Sequence, residues 1–213
     1  MYRGKSNLVL GFHGCDLAVM NQLLTDPDVL VRSERPFDWL GHGMYFWENN
    51  LERADEWAKD KKKRHQIQNP TVIGAVIDLR YCLDFTESWA TQLLSKYFEV
   101  MDSEYQLMNL QLPQNKDIEH DRHKDKILRN LDCAVIEFIH KKISESNELA
   151  LVENEGSLIP SFDSVRGLFT EGGPAFPGAG VQLKNHIQIC IRNPNCIKGF
   201  FKPRQEVDFK RYG

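Results

Sequence analysis

No apolar run in this chain approaches the roughly 20 residues needed to cross a bilayer. The opening stretch, MYRGKSNLVLGFHG, holds only a brief apolar segment broken by Gly11 and His13, too short for the apolar region of a secretory signal. Excess positive charge is lacking too. With 27 Lys and Arg against 30 Asp and Glu the formal net charge is -3, so the chain is not a broadly basic nucleic-acid binder, and any such contact must come from a local patch. The five cysteines (Cys15, Cys82, Cys133, Cys190 and Cys196) are odd in number and never spaced C-x-x-C, which argues against a zinc ribbon or a disulfide framework and favours a reducing cytoplasm. There is no G-x-G-x-x-G opening, no P-loop and no nucleophile elbow, which disfavours a Rossmann sheet and the common hydrolase sites. Neither an internal repeat nor a low-complexity linker divides the 213 residues, so a single domain over 1–213 is expected.

What is present alternates strand and helix signals without a regular βαβ order. NLVLGFHG reads as a short strand ending at glycine, and DLAVMNQLLTD as a helix capped by Asp16 and stopped near Pro27. DWLGHGMYFWE reads as a glycine-punctuated turn feeding a short aromatic strand. The next segment, NNLERADEWAKDKKKRHQ, has an Asn cap, acids early and bases late, the order that complements a helix dipole. TVIGAVIDL is a β-branched strand and TESWATQLLSKYFEVM a helix with an apolar stripe. In DKILRNLDCAVIEFIHKKI, the spacing puts Ile127, Leu128, Leu131, Val135, Phe138 and Ile139 on one helical face, and HIQICIRN reads as the last strong strand. The pattern predicts an α+β fold.

Two segments carry a specific resemblance. FHG at 12–14 and LGHGMYFWENNLERADEWA at 40–58 together resemble the N-terminal signatures of the ADP-ribosyltransferase superfamily. They look most like its His-Tyr branch, which includes diphtheria toxin and the poly(ADP-ribose) polymerases. In that branch a strand-end His-Gly-Thr/Ser precedes a glycine-x-glycine turn, an apolar residue, a Tyr-Phe pair and a helix with a small residue in its early turns. The matching residues here are His13-Gly14-Cys15, Gly41-His42-Gly43, Met44, Tyr45-Phe46 and Ala54. The match covers roughly residues 8–60, and the final strand around Gln188 only loosely.

The resemblance implies split mixed β-sheets with flanking helices around an NAD cleft, and cleavage of the nicotinamide-ribose bond with transfer of ADP-ribose to an acceptor. It implies that Tyr45 lies under the cationic nicotinamide ring, where a tyrosine face supplies apolar contact and a cation-π attraction of about 0.5 to 2 kcal/mol. Gly14 would offer its backbone N-H and C=O to the carboxamide, and His13 would hydrogen-bond the adenosine ribose. Gly43, in the glycine turn, and Ala54, the small residue of the helix, would belong to the cofactor-binding set. Cys15 stands where the family usually has a hydroxyl and is a weaker donor. Trp57, offset by about one residue from the family's second aromatic, either lines the pocket or joins Leu51 and Ala54 in a core-facing stripe.

Efficient family members carry a Glu at the start of a late strand, and this sequence aligns Gln188 there, with His186 one alternation earlier on the same face. Gln188 can hydrogen-bond a hydroxyl but brings no charge. Glu171, in the glycine-rich GLFTEGGPAFPGAG, is either the substitute carboxylate or a surface residue, and Arg166 either a phosphate partner or a solvated arginine. His120 and His123 in KDIEHDRHKDK lack a third ligand at useful spacing, so no metal site is expected. KDKKKRH at 59–65 fits a helix C-terminus, or a patch that guides a nucleic-acid backbone.

The resemblance therefore predicts an NAD-dependent mono-ADP-ribosyltransferase, a toxin or defence effector of a toxin-antitoxin or phage-defence kind. Its acceptor would be a protein, RNA or DNA, with an antitoxin protein as a second partner and no membrane. A catalytically weak NAD- or ADP-ribose-binding module, and a 2'-phosphotransferase relative, stay open beside it.

Overall fold

The computed structural model describes residues 8–29, 31–119, 121–153 and 158–204. Strand β1 (Leu8–Asp16) runs into helix α1 (Leu17–Thr25), whose N-terminus is capped by the Asp16 carboxylate accepting from the Ala18 N-H at 3.1 Å. Strand β2 (Met44–Glu48) follows the Gly-His-Gly turn, and helix α2 (Leu51–Lys63) starts where Asn50 Oδ1 accepts from the Arg53 N-H at 3.0 Å. Then come β3 (Pro70–Asp78), β4 (Cys82–Asp84), α3 (Ser88–Leu107), the short pair β5 (Asn115–Lys116) and β6 (Leu128–Arg129), and α4 (Asn130–Glu153). The chain closes with β7 (Ser164–Pro174), β8 (Gln182–Ile191) and β9 (Ile197–Phe201).

The fold is α+β: seven strands form one mixed sheet in the order β4-β7-β8-β2-β1-β3-β9, in which β4 and β7 are parallel and the other neighbours antiparallel. Strand alternation divides the side chains between two cores. On one face Cys15, Met44, Phe46, Ile73, Ala75, Ile77, Ile189 and Ile191 pack with Met20 and Leu23 of α1. On the other face Val165, Phe169 and Cys190 pack with Ala90 of α3 and Ile136, Ile139 and Ile143 of α4. Helix α2 sits on this second face too, but over β1 and β3. The strip of sheet between α2 and the α3–α4 layer belongs to β2 and β8.

Several expected features fall differently. Helix α4 begins at Asn130, so Ile127 and Leu128 precede it, and its buried face is Cys133, Val135, Ile136, Ile139 and Ile143. Asn115 Oδ1 stops the helix from extending backward by accepting from the Leu131 N-H at 2.9 Å, a cap supplied from distant sequence. Leu51 is 43% exposed, so the helical stripe Leu51, Ala54, Trp57 does not face the core; Ala54 and Ala58 do, at 0% exposure. Arg166 projects from the face opposite α2 and is held by Glu48 at 2.6 and 3.0 Å and by Asp84 at 2.9 Å. Those carboxylates push its pKa further up and leave it a structural clasp across β8.

Helix α2 lies close on β1. A Cβ on Gly14 would collide with the Ala54 carbonyl and lie 3.1 Å from the Ala58 nitrogen. Alanines on the helix and glycine on the strand are what allow this approach. We predict that Gly14→Ala costs about 1 to 3 kcal/mol, read as a lower urea midpoint. An unchanged midpoint would show that the helix does not sit so tightly.

Candidate functional site

β1 and β2 pair for only two positions, Gly11 opposite Glu48 and Phe12 opposite Trp47, and then separate. Carried on, the register would set His13 opposite Phe46 and Gly14 opposite Tyr45. The Leu10 carbonyl accepts from Asn49 N-H on the β2 side, so by strand alternation Phe12 and Gly14 also turn their backbone groups to that side. Beyond Phe12 the backbone N-H and C=O of Gly14 therefore point into the gap, where Lys61 Nζ reaches the carbonyl at 3.4 Å.

His13 bridges the gap where the ladder stops. Its Nδ1 lies 2.7 Å from the Tyr45 carbonyl, which can only accept, so Nδ1 carries the proton and Nε2 keeps a lone pair. Burial, with Lys61 adding to it, holds the imidazole down to about 4, neutral at physiological pH. Tyr45 occupies the α2-side face of β2. Its hydroxyl donates to the Gly41 carbonyl at 2.6 Å and accepts from the Leu40 N-H at 2.8 Å. The phenol is thus tied down by its own turn, its pKa driven well up by burial, and what it can present is its ring.

The two glycines of the turn have packing reasons of their own. Gly41 has φ +74°, and a Cβ there would lie 2.9 Å from Ile136; one on Gly43 would lie 2.6 Å from Cys190 Sγ. Glu137 and Arg192 fasten the turn: Glu137 Oε1 accepts from the His42 N-H at 2.7 Å, and Arg192 donates to the His42 carbonyl at 3.0 Å. Cys15 points to the opposite core, 3% exposed, its thiol pushed up to about 11 by burial, so only its backbone is near the gap.

Helix α2 forms one wall. Arg53, Trp57 and Lys61 recur every fourth residue and so share one side of it. Trp57 is half-buried, its ring centroid 5.9 Å from that of Trp47, with the Arg64 guanidinium 4.9 Å and Lys61 Nζ 5.7 Å from its centroid. Trp47 is 6% exposed and its indole N-H is buried without a partner among the described residues.

Neighbouring β8 continues the strip. Gln188 stands opposite Trp47 on one side and Gly167 of β7 on the other. His186 Nδ1 is 3.1 Å from the Lys184 carbonyl, and Gln188 Nε2 donates to the free His186 Nε2 at 2.9 Å. Burial keeps His186 at about 4 and neutral. Glu171 Oε1 lies 3.9 Å from His186 Nδ1 and forms an ion pair with Arg53, which also pairs with Glu56. Burial raises the Glu171 pKa although Arg53 opposes it. A depression of about 320 Å³, lined in part by Asp121, Asp125, Glu171, Gly172 and Lys184, opens at this end.

Of the residues expected from sequence, Gly14, Tyr45, Ala54, Trp57, Gln188 and Glu171 lie along one strip, with His13 plugging the strand gap from the side, whereas Cys15 turns its side chain into the opposite core and Gly43 packs against Cys190 in the turn. Trp47, Arg53 and Lys61 join the strip. The last two could have been found, since they flank Trp57 by four residues in each direction. Among the described residues no group of three His, Cys, Asp or Glu is placed to hold a metal, and His120 lies outside them. No helix of the described residues is long and apolar enough to cross a membrane.

His13, His140 and His186 are all held below the ordinary imidazole value, chiefly by burial, at about 4, 3 and 4. Unfolded, each takes up a proton near pH 6.5, so the folded state loses ground as pH falls from 6.5 through about 4. Each histidine contributes up to roughly tenfold in the folded-to-unfolded ratio per pH unit. Urea midpoints measured from pH 7 to pH 4.5 should fall steeply, and less steeply in His186→Gln. A flat profile would contradict the burial of these rings.

Comparison with protein-family profiles, curated proteins and solved structures finds no match to the chain.

Proposed function

We propose that this protein is an NAD-dependent mono-ADP-ribosyltransferase whose co-substrate lies along the strip between α2 and the α3–α4 layer, in a fold of the ADP-ribosyltransferase kind. One observation carries the reading: the outward-turned backbone edge of Gly14 faces the Tyr45 strand across the gap that His13 bridges. An N-H and a C=O turned to the same side of one glycine, the C=O meeting only the Lys61 ammonium at 3.4 Å, complement both ends of a carboxamide, and an anchored aromatic ring suits a flat cation. His13 Nε2, with its lone pair free of the Tyr45 bond, suits a ribose hydroxyl donor.

The polar row on β8 and β7 fits the bond-breaking half. Positive charge grows on the ribose as nicotinamide leaves, and a fixed carboxylate lowers that barrier more than it tightens binding. Gln188 is neutral and held by His186, so Glu171, 3.9 Å from His186 and positioned by Arg53, is the carboxylate we assign at that end. A neutral residue at 188 favours single transfer over polymer growth. An effector role with a protein, RNA or DNA acceptor and a neutralising antitoxin belongs to the same proposal. The pairing of Glu171 with Arg53 also favours a second reading, an NAD- or ADP-ribose-binding module without turnover.

Incubation with labelled NAD and separate protein, RNA and DNA pools tests both. Label in one pool identifies the acceptor; free nicotinamide without label transfer means hydrolysis; bound and intact NAD leaves the binding module. We predict that Tyr45→Ala and His13→Ala abolish nicotinamide release while far-ultraviolet circular dichroism stays native. Full activity in either would remove the cleft assignment. Glu171→Gln should slow release by about 100-fold with NAD affinity changed little, and equal turnover would exclude Glu171.

A further inference from the structure

Near the end of helix α2 two cations, Lys61 and Arg64, have no carboxylate partner among the described residues. Lys61 is half-buried, aims its ammonium into the strand gap, and has the Gly14 carbonyl, at 3.4 Å, as its hydrogen-bond acceptor. Arg64 lies across the Trp57 ring with its Nε on the Asp60 carbonyl at 3.3 Å. Among the described residues neither cation comes within 4.0 Å of a carboxylate, and nor does Arg35. The acids close by are engaged elsewhere. Asp60 pairs with Lys63 at 2.9 Å, Asp55 with Lys59, and Asp16 accepts from Ala18, Gln68 and Asn69. Burial lowers the Lys61 pKa, and Arg35 and Arg64 lower it further.

A partly desolvated ammonium kept among like charges costs stability, and an arriving anion reverses that cost. The other end of the same helix differs: there Arg53 is neutralised by Glu56 and Glu171. The helix thus offers a compensated end beside Glu171 and an uncompensated one beside Gly14, with Trp57 between them.

We propose that Lys61 and Arg64, both beside the Trp57 ring, form an anion site that takes the diphosphate of the dinucleotide. The choice of a diphosphate rests on the NAD reading above, whereas the anion site itself rests on the geometry of α2. Lys61 can supply a point charge at the mouth of the gap, and Arg64 a planar fork from the solvent side.

Calorimetric titration of the whole chain with inorganic pyrophosphate tests the site without NAD chemistry. The expected result is saturable binding that weakens at least tenfold in Lys61→Met and in Arg64→Gln, and is unchanged in Lys62→Gln. Arg64 is exposed, so its variant keeps the fold if the Lys61 variant does not. No saturable binding, equal binding in all variants, or an equal loss in Lys62→Gln would overturn the proposal. The nicotinamide-release assay separates the two ideas. Pyrophosphate bound at Lys61 with NAD neither bound nor turned over removes the NAD reading and keeps the anion site. NAD turned over with no pyrophosphate binding does the reverse.

Discussion

The seating of α2 on β1 governs the geometry around it. With no side chain on Gly14 and only methyl groups on Ala54 and Ala58, helix backbone meets strand backbone almost directly. The rotation of the helix follows from that contact: with Ala54 and Ala58 turned down, Arg53, Trp57 and Lys61 are turned toward β2 and β8. The strand side is constrained as well. β1 is fully paired with β3 from Leu8 to Asp16, so it cannot follow β2 away, and the gap opens on the β2 side alone. His13 fills one edge of that gap with a side-chain hydrogen bond where a ladder bond would have been.

Along the strip the electrostatics change character. Near Glu171 the arginines are paired: Arg53 with Glu171 and Glu56, Arg129 with Asp132. Arg129 also lies over Trp39 at 4.2 Å and Phe169 at 4.9 Å, which closes the strip beyond His186. Toward Gly14, Lys61 and Arg64 have no carboxylate within 4.0 Å among the described residues. A ligand with an anionic middle and a cationic end would meet fixed charges of both signs, which orients it more firmly than either charge alone.

Much of this architecture was legible because local chemistry decided it. Asp16 and Asn50 cap their helices as read, and the β-branched run at 70–78 is a central strand. The misreadings arose where distant residues decide. Nothing near Leu128 reveals that Asn115 caps α4 from 16 residues before Leu131. The brief strands β4, β5, β6 and β9 carry too few residues to show a period. For Arg166 the sequence could not give the face, and parity along β7 puts it with Glu48 and Asp84, away from α2. Gly41 and Gly43 were legible as a turn, but the reasons for them, Glu137, Ile136 and Cys190, lie about 95 and 150 residues on. The candidate residues were picked through a motif, while Lys61 and Arg53 were hidden by reading α2 as a core stripe plus a basic tail.

The neutral residue at 188 is consistent with its surroundings. Gln188 donates to His186 Nε2, which is free to accept because Nδ1 gives its proton to the Lys184 carbonyl. A carboxylate at 188 would have no proton to give to that nitrogen. Facing a lone pair, it would raise the imidazole pKa and draw a second proton onto a ring that is 4% exposed and already near Arg53, Arg129 and Lys184. The cost of charging such a ring would be set against the gain from the new carboxylate. With Gln188 the row Gln188, His186, Lys184 carbonyl closes without any charge, and the negative charge of this end is left to Glu171, where Arg53 can hold it. Neutral glutamine, neutral histidine and the Arg53–Glu171 pair are therefore one arrangement, and a change at any member shifts the protonation of the next.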